Sequence, residues 1–169
     1  MKRFMTKSIL SGLLFFLSVV GQTKEPMPLH HNWILKDLQG HHLSLSDYQG
    51  KPVILVFWAT WCPYCKKLLP GLNRVYEKYK ADGFILIGMN IMEDGEPDAY
   101  MKARGYNFKV ALDSDDIASY YGVRGTPTTV FIDKSGDILG KVNISDPNHP
   151  VFEAFVREQL GLTDQIEQK

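Results

Sequence analysis

The spacing of apolar residues changes several times along this chain, and each change predicts an element. Val53–Trp58 is an unbroken apolar run introduced by Lys51 and Pro52. A run of that length suits a strand covered on both faces. Over Pro63–Tyr79 the period lengthens: Leu68, Leu72, Val75, Tyr76 and Tyr79 recur at helical spacing, and Gly83 supplies a stop. Residues 84–89 form a second apolar strand. An acidic loop over 93–97 leads into a helix from Asp98 to about Arg104, and 117–121 fits a short helix. Thr128–Ile132 and Ile138–Val142 read as strands joined by the turn cluster Asp133, Lys134, Ser135 and Gly136. Phe152, Phe155, Val156 and Leu160 mark one face of a last helix. Ahead of all these, apolar stretches at 33–38 and 43–45 flank Gln39 and Gly40, a hairpin signal.

The order is hairpin, strand, helix, strand, helix, hairpin, helix. Strand, helix, strand implies a parallel pair with a right-handed crossover, and the later hairpin adds antiparallel strands. The economical architecture is α/β: one central mixed β-sheet with helices on both faces, extended at its N-terminus by the first hairpin. No internal repeat is visible.

Residues 1–21 stand apart. Lys2, Arg3 and Lys7 precede an apolar run over 9–20, interrupted only by Ser11, Gly12 and Ser18. The charged, apolar, small order is that of a secretory signal. The run falls short of the roughly 20 residues that cross a bilayer as a helix. The expectation is a cleaved signal peptide, with a retained N-terminal anchor as the alternative; contact with a membrane follows only from retention. Residues 22–32 read as a linker, 33–162 as the folded domain and 163–169 as a polar tail. A length of 169 residues fits one domain. Nineteen basic residues balance nineteen acidic ones, so nothing favours phosphate binding and nucleic acid is not an expected partner. Without Lys2, Arg3 and Lys7, sixteen basic residues face nineteen acidic ones, about −3. The mature chain is expected in the periplasm or otherwise exported, where disulfide chemistry operates.

The two cysteines, Cys62 and Cys65, lie where the first buried strand gives way to the first helix. Free N–H groups and a partial positive charge mark a helix start, so a sulfur anion at Cys62 is favoured there. Pro63 suits the first helical position, which needs no N–H. Three residues on, Cys65 lies on the same side of the helix, within disulfide reach. Cys62 is expected at the exposed edge as the attacking sulfur, and Cys65 one turn inward as the resolving one. Two inert buried cysteines, a static disulfide and a metal site with His30, His31, His41 or His42 are the competing readings. A bridge over so short a loop stabilises little, and no histidine pair has ligand-like helical spacing.

Phe57-Trp58-Ala59-Thr60-Trp61-Cys62-Pro63-Tyr64-Cys65-Lys66, with Pro70 beyond it, resembles the active-site segment of the thioredoxin superfamily. Gly125-Thr126-Pro127-Thr128-Thr129-Val130-Phe131-Ile132-Asp133 resembles its second signature. The hairpin over 33–47 is similar to that of the exported TlpA/ResA-like branch. The resemblance implies a thioredoxin-like fold and exchange through a Cys62–Cys65 redox disulfide with protein substrates that carry cysteines or disulfides. It implies no cofactor and no metal. It implies a cis Pro127 that leaves the Thr126 backbone free to pair with a substrate strand, with Trp61, Pro63 and Tyr64 completing the substrate-binding surface. Of the aromatics, Trp61 is the one expected at the surface. The branch further implies a reducing role, such as keeping apocytochrome c or another exported protein reduced, with a membrane thiol electron donor resetting the pair.

Several residues depart from the pattern. Val56 stands where thioredoxin has a buried Asp. Glu93 occupies the place of a Glu found in the TlpA/ResA-like branch. It is expected as a catalytic residue, buried beside Cys65 with a raised pKa and taking the resolving thiol's proton, with a solvated loop acid beside Asp94 and Glu96 as the competing reading. Pro63-Tyr64 resembles the glutaredoxin dipeptide and weakens the inference of a strong reductant. A thiol-dependent peroxidase of the neighbouring peroxiredoxin group is an alternative, but Ala59 replaces that group's Thr. A copper- or client-binding module on the same fold is another, disfavoured by the two-residue gap between the cysteines.

Overall fold

The computed structural model describes residues 32–162. The expected leader at 1–21, the linker up to residue 31 and the tail at 163–169 lie outside the described residues.

The central strand, β3 (Val53–Trp58), is buried along its whole length. Its side chains alternate between two cores, as the two-residue period of a strand requires. Ile54, Val56 and Trp58 face Leu68, Leu69, Leu72, Met101, Phe152, Phe155 and Val156. Val53, Leu55 and Phe57 face Trp33, Leu43, Leu45, Ala118 and Tyr121. The first set comes from α1 (Pro63–Tyr79), α2 (Pro97–Arg104) and α4 (Pro150–Leu160). The second comes from α3 (Asp115–Tyr120) with its C-cap Tyr121, and from the N-terminal hairpin, β1 (Ile34–Lys36) with Trp33 ahead of it and β2 (His42–Ser44) with the turn after it.

The sheet has the order β5-β4-β3-β6-β7, where β4 is Ile85–Asn90, β5 Lys109–Ala111, β6 Thr128–Ile132 and β7 Ile138–Val142. β3 runs parallel to β4 and antiparallel to β6, β4 parallel to β5, and β6 antiparallel to β7. The fold is thioredoxin-like with a mixed five-stranded sheet, helices on both faces and a small antiparallel hairpin in front. The hairpin joins the sheet beyond β5: the Leu112 N–H donates to the Lys36 carbonyl at 2.8 Å.

β5 escapes the sequence reading because three residues are too few to show a period. α2 begins at Pro97, one residue earlier than expected, since proline fits a first helical position. α3 spans Asp115–Tyr120 rather than 117–121. Gly71, inside α1, has a packing reason. A Cβ there would collide with the Pro147 carbonyl, so only glycine lets the chain entering α4 lie against α1.

Register decides where chemistry can occur. Trp58 pairs with Asn90 and Phe57 with Thr128. The segments leaving β3 and β4 and the segment entering β6 therefore reach the same end of the sheet, where open α/β sheets place their sites.

Candidate functional site

Cys62 is the N-cap of α1, with φ −72° and ψ 115°, and Pro63 is the first helical residue. The cap is a sulfur: Cys62 Sγ accepts the Cys65 backbone N–H at 3.1 Å. This is the use of an unpaired helix-start N–H foreseen from the sequence. Both cysteines are free thiols. Cys62 is 2% exposed and Cys65 0%. Cys62 is thus more covered than the exposed edge that sequence position suggested. The strand-entry loop of β6 folds over it, and Cys62 Sγ donates to the Thr126 carbonyl at 3.6 Å. Burial pushes the Cys65 thiol up to about 12, and its hydrogen bond with the neighbouring Cys62 sulfur adds to the rise.

The Thr126–Pro127 bond is cis. Two side chains brace that loop from behind. Thr128 Oγ1 donates to the Gly125 carbonyl at 2.7 Å, and Asn143 Nδ2 donates to Thr128 Oγ1 at 2.6 Å and to the Pro127 carbonyl at 3.2 Å. Asn143 was not legible as a site residue, since it stands just past a strand end with no motif around it. Beside the loop opens a groove of about 470 Å³ lined by Tyr64, Arg124, Gly125, Thr126, Pro127, Asn143 and Ser145. Trp61 and Tyr64 are both exposed at this end of the molecule, whereas Trp58 is fully buried.

Glu93 departs from expectation. Burial alone would raise its pKa, but its carboxylate is surrounded by donors and the net direction is downward. Oε2 accepts the Thr60 N–H at 2.9 Å and Asn90 Nδ2 at 2.6 Å. Oε1 accepts the Thr60 hydroxyl, the Gly95 N–H at 2.9 Å and the Asp94 N–H at 3.1 Å. Hydrogen bonds to the charged form hold the group ionised. The raised pKa expected of a proton acceptor for Cys65 is therefore corrected. The carboxylate ties the segment before Cys62 to the end of β4. Among the described residues no group of three or more His, Cys, Asp or Glu converges as a metal site.

Residues 27–140 match the model of the AhpC/TSA family. The chain belongs to that family. The thiol-disulfide oxidoreductase ResA of Geobacillus kaustophilus is 38% identical over 112 residues, 63% of this chain and 63% of that one, so this match covers less than two thirds of its relative. The thiol-disulfide oxidoreductase ResA of Bacillus thuringiensis is 34% identical over 157 residues, 89% of this chain and 90% of that one. Among solved structures, a thiol:disulfide interchange protein of the thioredoxin family from Chlorobium tepidum superposes with a TM-score of 0.69 at 26% identity, covering 80% of this chain and 96% of that one. The family member described here is a thiol-disulfide oxidoreductase with a thioredoxin-like fold, as the two sequence signatures implied.

Proposed function

We infer that the chain is an exported reductant of protein disulfides. Its reaction runs in two exchanges. The Cys62 sulfur anion attacks a client disulfide, one client sulfur leaves, and a mixed disulfide joins Cys62 to the other. Cys65 then attacks Cys62 Sγ; the remaining client sulfur leaves with the electron pair and takes up the Cys65 proton. Two electrons pass to the client and a Cys62–Cys65 disulfide remains, which a membrane thiol donor returns to the dithiol.

The observation that carries this reading is the asymmetry of the pair. Cys62 Sγ lies on a helix-start N–H, while Cys65 is buried and held as a thiol. The first sulfur is disposed to attack; the second waits until a mixed disulfide stands beside it. Trp61, Pro63, Tyr64, Thr126 and Pro127 form the substrate face, with Thr126 offering backbone to an extended client segment. Glu93 serves as a positioning residue, holding the Thr60 segment in register with Asn90.

Export is supported by the charged, apolar, small order of residues 1–21. Among the described residues no helix is long and apolar enough to cross a membrane. Exported clients such as apocytochromes, whose cysteines must stay reduced, fit this placement. The test is client trapping with Cys65→Ala in cells, together with the resting redox state of the wild-type pair. Exported proteins caught through Cys62, and a mostly reduced wild-type pair, are the expected results. A mostly oxidised pair, or thiol-dependent consumption of peroxide at a rate exceeding disulfide reduction, would overturn the reading.

A further inference from the structure

Eight large apolar side chains are notably exposed among the described residues, and three of them, Trp61, Tyr64 and Met92, belong to the segments at the cysteine end of the sheet. Met92 is the unusual one. Its φ is 49°, in the left-handed region that long side chains enter only at a cost. Burial compensates only in part, since 49% of its surface stays exposed. The conformation is fixed from both sides instead. The Met92 N–H donates to Asp115 Oδ1 at 3.0 Å, at the start of α3, and the Met92 carbonyl accepts Trp61 Nε1 at 2.7 Å. A strained backbone, pinned by two long-range hydrogen bonds, displays an apolar side chain to solvent next to the residue that precedes Cys62. Such strain is characteristic of functional surfaces.

We propose that Met92 is a specificity-determining residue: with Trp61 it forms an apolar ledge that receives an apolar side chain adjacent to the client's reactive cysteine. This rests on the proposed attack by Cys62. The occupant follows from continuity with that site. Cys62 is only 2% exposed, so a client sulfur reaches it only when the flanking residues dock closely. Trp61 is covalently joined to Cys62 and hydrogen-bonded to Met92, so those flanking residues meet this ledge. Thioether side chains adapt to varied apolar shapes, which suits a protein acting on more than one client sequence. Arg124 and Asn143 line the groove by Thr126, so the charged and amide contacts fall on that other part of the same substrate face.

The test uses the full-length reduced protein and two synthetic peptide disulfides that differ only in the residue beside cysteine, Leu or Ser. Each reaction transfers two electrons from the Cys62/Cys65 dithiol to the peptide disulfide. The quantity read is the ratio of second-order rates, in which losses common to both peptides cancel. Wild type is expected to prefer the Leu peptide about tenfold, the scale on which one apolar contact discriminates. Met92→Leu is expected to keep that ratio. Met92→Asn, which tolerates a positive φ but removes the apolar surface, is expected to bring it near one. A wild-type ratio in Met92→Asn, or equal rates in wild type, overturns the role of Met92. A wild type inert toward both peptides overturns the exchange reading beneath it.

Discussion

Replacing Glu93 by Gln tests the largest polar cluster behind the cysteine loop. The carboxylate accepts from the Thr60 N–H and hydroxyl, Asn90 Nδ2 and the N–H groups of Asp94 and Gly95. An amide retains one acceptor oxygen and turns an NH₂ toward the donors of the other. In the less damaging orientation it faces the Thr60 N–H and Asn90, leaving two donors unpaired. Hydrogen bonds to a charged group contribute about 1.5–3 kcal/mol each. The site is half-buried and water recovers part of the loss, so the expected cost at pH 7 is about 2 kcal/mol. The pH dependence is the sharper criterion. The folded protein holds Glu93 below the 4.5 of an ordinary glutamate. Its stabilisation is therefore complete above about pH 5, and it is lost as pH falls through the folded value. Urea unfolding of reduced wild type and Glu93→Gln from pH 3 to pH 7 should show a gap that is constant near neutrality and closes in acid. Other carboxylates titrate alike in both proteins and cancel. A gap below about 0.5 kcal/mol at pH 7, smaller than a single net hydrogen bond, refutes the argument. So does a gap that widens as pH falls, the signature of a raised pKa.

Other consequences are direct. Cys62→Ala should abolish disulfide reduction, and alkylation of its remaining Cys65 by iodoacetamide should stay slow at pH 8, because burial is the main cause holding that thiol near 12; fast labelling at pH 8 contradicts this. In wild type the unfolded chain ionises Cys65 near its ordinary 9.0 while the native protein does not, so the stabilisation is whole below pH 9 and drains away toward pH 12. Cys65→Ala should lack that share of the alkaline decline in denaturation curves. Gly71→Ala should destabilise by about 1–3 kcal/mol, the cost of forcing atoms into a packed contact, because its methyl meets the Pro147 carbonyl; an unchanged urea midpoint would show that this contact is slack.

Legibility in the sequence followed the range of the interactions involved. The β6–β7 hairpin has the bounds read from the sequence on either side of its turn cluster. α1 begins at the proline and ends near the glycine that mark it. Where an element depends on its neighbours, the reading weakens. Lys109–Ala111 is a strand because β4 offers it an edge, and no local pattern announces it. Tyr64 shows the same limit on a single side chain: its sequence neighbours do not fix its exposure, which follows from the groove it borders.

The sequence by itself determined that a buried strand delivers Cys62 to a helix start with Cys65 one turn on, because an unbroken apolar run, proline at the first helical position and two-residue spacing are all local. Tertiary structure alone decided what surrounds those sulfurs. The covering carbonyl of Thr126 comes from 64 residues away, the donors that keep Glu93 ionised include Thr60 from 33 residues away, and the Met92 backbone is held by Asp115 and Trp61. A group's ionisation is the balance between lost water and gained partners. Since those partners arrive only when strands pair in register, the direction of the Glu93 shift was fixed by the fold and not by its place in the chain.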